Sequence, residues 1–205
     1  MRNVPFFNYP AMFSERDEEY LDSFKTTLRR GAYIMQQELL DFEANLAKFL
    51  GCKYAIGVAD GTAALEMSLA VAGIEQGDEV IVSSHTFIAT AAAVHHMGGV
   101  PVVADCLPDS MIDPTSVERL IGPKTKVLMP TQLNGRTCNM DAIMSIADQH
   151  NLKVVEDSCQ AMGAAYGGIK AGLFGVAGSY SFYPAKTLGC FGDGGAVVTD
   201  DDNVA

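Results

Sequence analysis

Two kinds of apolar pattern divide the chain. Near the start the apolar positions keep helical spacing. Leu21, Phe24 and Leu28 recur every three or four residues, Ser14 stands ahead of them as a candidate N-cap, and Gly31 breaks the run. Leu39, Phe42, Leu46 and Phe49 mark a second helix that stops at Gly51. From residue 54 onward the pattern changes. Short β-branched runs recur as YAIGVA (54–59), EVIVS (79–83), GVPVVA (99–104), TKVLMP (125–130), LKVVED (152–157), GSYSF (178–182) and GAVVT (195–199). Helical spacing returns between most of them, as in Leu65, Leu69 and Ala72, or Ile143, Ile146 and Ala147. Strands alternating with helices predict an α/β fold, with a mostly parallel seven-stranded sheet between helices. No internal repeat, low-complexity segment or linker-like stretch cuts the chain in two.

Composition narrows the function classes. The 205 residues allow one large domain with a substantial core, and 48% hydrophobic content suits a globular protein. Fourteen Lys and Arg against 25 Asp and Glu give a net charge of −11, which argues against a nucleic-acid surface. A small anion can still be held locally by backbone N–H groups. No apolar run approaches the roughly 18 residues of a membrane span. The N-terminal MRNVPFFNYP is broken by Pro5 and Pro10 and does not read as a signal peptide. Cysteines stand at 52, 106, 138, 159 and 190, an odd number without a CxxC, so reduced thiols in a cytoplasmic protein are expected. His95 and His96 diverge on a helix with no carboxylate or cysteine to complete a set, so no metal centre is expected. Asp200, Asp201 and Asp202 read as a solvated turn.

Ligands of such sheets bind at the carboxyl ends of the strands, so the residues just after the apolar runs matter most. In ADGTAALEMSLA, Asp60, Gly61 and Thr62 sit where a helix begins. That is either an anion site or an ordinary capping turn. Neither GxGxxG nor GxxxxGK[ST] occurs, which disfavours a nucleotide-binding oxidoreductase or a P-loop protein. In VVEDSCQAMGA, Asp157 emerges directly after a buried strand, and Gln160 follows three residues on. In SFYPAKTLGCFGDGG, Lys186 is flanked by Phe182, Tyr183, Pro184 and Leu188. Partial desolvation would make it a nucleophile; the alternative is a snorkelling surface lysine. Phe87, in SSHTFIATAA, is either a core aromatic or a stacking plate. A nucleophilic lysine, an upstream aspartate, an anion-binding helix start and an aromatic plate are together what pyridoxal phosphate (PLP) requires.

These segments resemble the DegT/DnrJ/EryC1/StrS family of sugar aminotransferases. The similarity runs from about Gly31 to the end of the chain, through GAYIMQQELLDFEANLAKFLG, DGTAALEMSLAVAGIEQGDEVIVSSHTFIATAAAV, VVEDSCQAMGAAYGG and SYSFYPAKTLGCFGDGGAVVTDDDNVA. The resemblance implies the large domain of a fold-type-I PLP-dependent transferase. It divides the chain into an N-terminal arm and helix (1–30) and a PLP-binding domain (31–205), and it puts the family's C-terminal small domain outside this chain. It implies that Lys186 holds the cofactor as a Schiff base and moves the proton. Asp157 would face the pyridine nitrogen, Gln160 the ring hydroxyl and Phe87 the ring face. Gly61, Thr62 and Ser181 would hold the phosphate. It further implies a homodimer, glutamate as amino donor and a nucleotide-linked keto sugar as acceptor. A sugar dehydratase on the same fold, using pyridoxamine phosphate, is the nearest alternative; the resemblance gives those enzymes a histidine at the position of Lys186. A non-catalytic regulatory or assembly protein is another. Two departures stand out. Asp60 replaces the family's Ser or Asn and is expected to cap the helix or turn outward. Gln132, in PTQLNG, replaces a histidine near the expected substrate face.

Overall fold

The computed structural model describes residues 4–205. The chain forms two compact units that meet in sequence between Phe42 and Glu43.

The first unit is helical. It holds α1 (Tyr9–Ser14), α2 (Asp17–Arg29) and the start of α3 (Gln37–Leu50). Asn8 caps α1, its side-chain oxygen accepting from the Ala11 N–H at 3.4 Å. Ser14 does not cap the following helix as its position predicts. It is the last residue of α1, and its hydroxyl donates to the Ala11 carbonyl. The N-cap of α2 is Arg16, which makes no side-chain cap; Asp17, Glu18 and Glu19 instead meet the positive end of the helix dipole. Gly31 ends the run as expected, at φ +72°, where a side chain would be strained. No residue of α1 or α2 is buried.

The second unit is an α/β sandwich. After α3 come β1 (Tyr54–Val58), α4 (Gly61–Val71), β2 (Glu79–Ser83), α5 (Ile88–His96), β3 (Val100–Ala104), α6 (Pro114–Leu120), β4 (Thr125–Met129), α7 (Met140–His150) and β5 (Lys153–Asp157). A small hairpin, β6 (Ala165–Tyr166) and β7 (Ile169–Lys170), precedes β8 (Ala177–Ser181) and β9 (Gly195–Thr199). The seven-stranded sheet has the order β1-β9-β8-β5-β4-β2-β3. Six strands run in one direction; β9 is antiparallel to both its neighbours, β1 and β8. All seven strands fall on the short runs of the sequence pattern. The hairpin does not: each arm has two residues, too few for a period, and Gly167 and Gly168 form its turn.

Alternation along the central strands fills both faces. Val80, Val82, Val127, Met129 and Val155 point to one side, where they pack with Leu65 and Leu69 of α4 and Ala93 and Val94 of α5. Ile81, Leu128 and Val154 point to the other, against Val117 of α6 and Met140, Ile143 and Ile146 of α7. Full burial of each aliphatic side chain stabilises by roughly 1.5–3 kcal/mol. This covering leaves one feature open. The carboxyl ends of the parallel strands, and the loops after them, form a single edge.

Candidate active site

That edge collects the residues that the sequence singles out. At the end of β1 the chain turns at Asp60 and starts α4. Asp60 has extended backbone angles, and its carboxylate accepts from the Ala63 N–H at 2.8 Å. Asp60 is thus the cap of α4. The next two amides, of Gly61 and Thr62, have no hydrogen-bond partner among the described residues and lie at the positive end of the helix dipole. Gly61 is itself buried, and its lack of a side chain is needed. A Cβ there would lie 2.7 Å from Ser181 Cβ, 3.1 Å from Ser181 Oγ and 3.1 Å from Cys159 Sγ. So the α4 start, the end of β8 and the loop after β5 meet at one point. Gly195 closes it from beneath: a Cβ there would be 2.2 Å from the Asp60 carbonyl oxygen.

Asp157 ends β5 and is only 4% exposed. Its backbone is held by Pro130 O and the Gln132 N–H, at 3.0 and 2.8 Å. Its Oδ2 accepts from the Thr90 hydroxyl at 2.6 Å, and its Oδ1 from the Cys159 N–H at 3.2 Å. Lys186 lies beyond β8 in a turn closed by its own N–H on Tyr183 O at 2.8 Å. Gly189 permits that loop, since a Cβ there would be 2.5 Å from Pro184 O. The Lys186 side chain is half-buried, and its ammonium makes no hydrogen bond or ion pair among the described residues. The Cys159 thiol senses both groups. Burial pushes it well up first, the Asp157 carboxylate adds to this, and Lys186 opposes it. A thiol so raised stays protonated and is a poor nucleophile.

Phe87 is the N-cap of α5, is 64% exposed and borders the same edge. That answers the choice left by sequence: it is not a core aromatic. Gln160 is half-buried; its backbone carbonyl accepts from the Gly135 N–H at 2.8 Å, and its side-chain amide makes no hydrogen bond among the described residues. Ser181 is half-buried, and its Oγ accepts from the Tyr183 N–H at 3.3 Å.

Gln132 is not at the site. It is fully buried, and its Nε2 donates to Glu156 Oε2 at 2.7 Å while its Oε1 accepts from the Cys138 N–H at 2.8 Å. The reason is the strand's period of two: Glu156 precedes Asp157 and points to the opposite face of β5. Glu156, also fully buried, takes the Gly172 and Phe174 N–H groups as well, at 2.8 and 2.7 Å. Burial pushes its carboxyl up, against the pull of these donors. The pair ties the loops after β4 and before β8 to the strand that carries Asp157.

Sequence reasoning missed Thr90, and with it Thr86 and Thr131. Their one visible signal is the i, i+4 spacing of threonines in HTFIAT, which places both hydroxyls on one side of a helix start. It also missed that His96 has a carboxylate nearby: its Nδ1 lies 2.7 Å from Glu66 Oε1. Among the described residues no group of three or more His, Cys, Asp or Glu is arranged to hold a metal ion. None of their helices is long and apolar enough to cross a membrane.

The α/β fold, with its mostly parallel seven-stranded sheet, is that of fold-type-I PLP-dependent transferases. Within that class the chain belongs to the DegT/DnrJ/EryC1/StrS aminotransferase family, which it matches over residues 14–205. It is 43% identical over 203 residues to the dTDP-3-amino-3,4,6-trideoxy-alpha-D-glucose transaminase of Streptomyces venezuelae, covering 98% of this chain and 54% of that protein. It is 38% identical over 204 residues to a protein of Geobacillus stearothermophilus named a pleiotropic regulatory protein, covering 99% of this chain and 55% of that one. The crystal structure of S. venezuelae DesV in complex with a ketimine intermediate matches with a TM-score of 0.95 and 43% identity, over 100% of this chain and 55% of that one. The chain spans about half the length of the relatives it matches.

Proposed function

We propose that this chain is the cofactor-binding part of a PLP-dependent aminotransferase that moves an amino group, with glutamate as donor, to the keto group of a nucleotide-linked sugar. The observation that carries the reading is the junction at Gly61. Three chain segments converge there around a glycine whose missing side chain leaves room, at a helix N-terminus with two unpaired amides, beside a buried carboxylate. A phosphate fits the first part and a cationic ring nitrogen the second. When bound, the cofactor would supply an electron sink for the bond-breaking at the donor's amino-bearing carbon.

The chain's own residues have separate tasks in this reading. The Gly61 and Thr62 amides, the Thr62 hydroxyl and Ser181 Oγ hold the phosphate by hydrogen bonds and the helix dipole, without a cation. Asp157 accepts from the ring nitrogen and keeps it protonated. Gln160 would donate to the ring hydroxyl, and Phe87 would offer its exposed face for stacking. Lys186 would hold the cofactor through Nζ. The same Nζ would hold and move the proton at the donor's amino-bearing carbon. The half-buried ammonium with no ion pair suits that double use better than a purely structural lysine would. Lys186 also speaks against the dehydratase, for which the resemblance implies a histidine here.

The same reading makes the protein a cytoplasmic homodimer. All five cysteines are free, which fits a reducing compartment. In the first unit Phe6 is 93% exposed, and Phe7, Tyr9 and Phe13 are each more than a third exposed, an apolar group of the kind that subunits bury. The activity is tested by supplying the full-length protein with PLP, glutamate and a nucleotide-linked keto sugar. Amino sugar and 2-oxoglutarate should form in equal amounts, and Lys186→Ala should form neither. Amination that survives Lys186→Ala would overturn the assignment.

A further inference from the structure

Asp157 stands at the end of a row of three hydroxyls. Thr131 Oγ1 donates to Thr86 Oγ1 at 3.0 Å, the Thr86 and Thr90 hydroxyls are 2.6 Å apart, and Thr90 Oγ1 donates to Asp157 Oδ2 at 2.6 Å. The three come from separate elements: the segment after β4, the loop before α5 and the first turn of α5. One order of donors is consistent with the three links of the row, with the Thr90 proton on Asp157 at 2.6 Å rather than on the longer 3.1 Å contact to the Phe87 carbonyl. Thr90 Oγ1 donates to Asp157 Oδ2, the shorter of its two acceptor contacts. The single Thr90 proton is then used, so Thr86 donates to Thr90. Thr86 has in turn no proton left, so Thr131 donates to Thr86. Thr90 is fully buried and Asp157 nearly so. In such surroundings a hydrogen bond to a charge is strong, and leaving one unmade is costly.

Thr90 has a second neighbour. Its hydroxyl lies 3.1 Å from the carbonyl oxygen of Phe87, one helical turn back. The same side chain therefore borders the buried carboxylate and the residue that would cover the ring. On the far side, Asp157 Oδ1 takes the Cys159 N–H. A carboxylate offers about four acceptor positions. The Thr90 hydroxyl and the Cys159 N–H reach different oxygens, which fixes the plane of the group; with the Cys159 thiol also close by, the carboxylate still has room to accept from one more donor.

We infer that Thr90, at the head of the Thr131–Thr86–Thr90 row, is a positioning residue that holds Asp157 in one orientation as an acceptor for a cationic ring N–H. This rests on the cofactor reading above. Thr90 itself would not touch the cofactor. Its methyl group packs, and its hydroxyl does the orienting, so serine should replace it and valine or alanine should not.

The test uses the full-length protein with Thr90→Val, Thr90→Ala and Thr90→Ser, the alanine variant standing in should valine not fold. Crystal structures without cofactor read the position directly. The Asp157 carboxylate should rotate in the valine or alanine variant and keep its wild-type place in Thr90→Ser. With PLP labelled by ¹⁵N in the ring, wild type and Thr90→Ser should give the resonance of a protonated pyridine. Thr90→Val should move it toward the neutral value and raise the PLP dissociation constant by about tenfold or more. An unmoved carboxylate in both the valine and alanine variants would overturn the proposal. So would a serine variant that moves it as far as valine does, since the role would then be packing. Should wild type itself take up no PLP, the cofactor reading fails, and the cofactor-free structures alone decide the role of Thr90.

Discussion

At the scale of single residues, the account depends on which polar groups are satisfied within the protein and which are left for a ligand. Asp157 is held by Thr90 and the Cys159 amide but keeps acceptor capacity. Asp157→Asn keeps the shape and removes the charge, so PLP should still bind while turnover falls by roughly 10²–10⁴-fold, the scale of a lost charge-stabilising or proton-handling group. Single-turnover kinetics with glutamate checks this, and unchanged turnover would reduce Asp157 to a strand end. Ser181 is assigned to the phosphate. Ser181→Ala should weaken PLP binding by about 1.5–3 kcal/mol, the range of a hydrogen bond to a charged group, as read by absorbance titration. An unaltered affinity would move the phosphate elsewhere. Asp157 and Lys186 stood out in the sequence as candidates because one closes an apolar strand run and the other lies in the loop after the next one, near the carboxyl ends of the strands. Thr90 did not, since its partner lies 67 residues away and only the folded topology brings α5 over β5. The role of Gln132 was left open by the sequence for a related reason. A one-residue step along β5 exchanges the ligand side of the sheet for the core, and sequence does not show which residue of Glu156 and Asp157 a distant side chain will meet.

Among the elements, the seven strands were readable because each is a short run bounded by turn residues, six of them carrying β-branched side chains and β8 reading instead as the alternating AGSYS. The strand order was not: it depends on crossovers that no single segment encodes. The antiparallel β9 is the instructive case. It enters between β1 and β8, and its first residue, Gly195, sits opposite both Val58 and Ser181. From there it supports the Asp60–Gly61 peptide so closely that no side chain fits. Gly195→Ala should therefore push the start of α4 outward. We expect a loss of about 2–4 kcal/mol in urea denaturation, with PLP affinity falling in step because the phosphate amides move. A variant as stable as wild type would show that the turn can shift freely, and that the glycine is not what shapes the phosphate site.

For the molecule as a whole, the two units differ in how they meet water. The second buries two apolar layers on the faces of its sheet. The first buries none of its α1 or α2 residues and leaves Phe6, Phe7, Tyr9, Phe13 and Phe24 exposed. In the proposed homodimer a second copy of the chain would cover these aromatics. Sedimentation equilibrium on the full-length protein at micromolar concentration should give a dimer, and Phe6→Ser with Phe7→Ser should weaken it. A clean monomer at that concentration would contradict the assembly. The central claim, however, is chemical: one lysine, in the turn after β8, forms the bond to the cofactor. Borohydride reduction of the PLP-loaded protein, followed by peptide mapping, tests it most directly. The account predicts a phosphopyridoxyl group on Lys186 alone, in the peptide containing SFYPAK, and none in Lys186→Ala. A stoichiometric label on Lys170, Lys153 or any other lysine, with Lys186 unmodified, would contradict it.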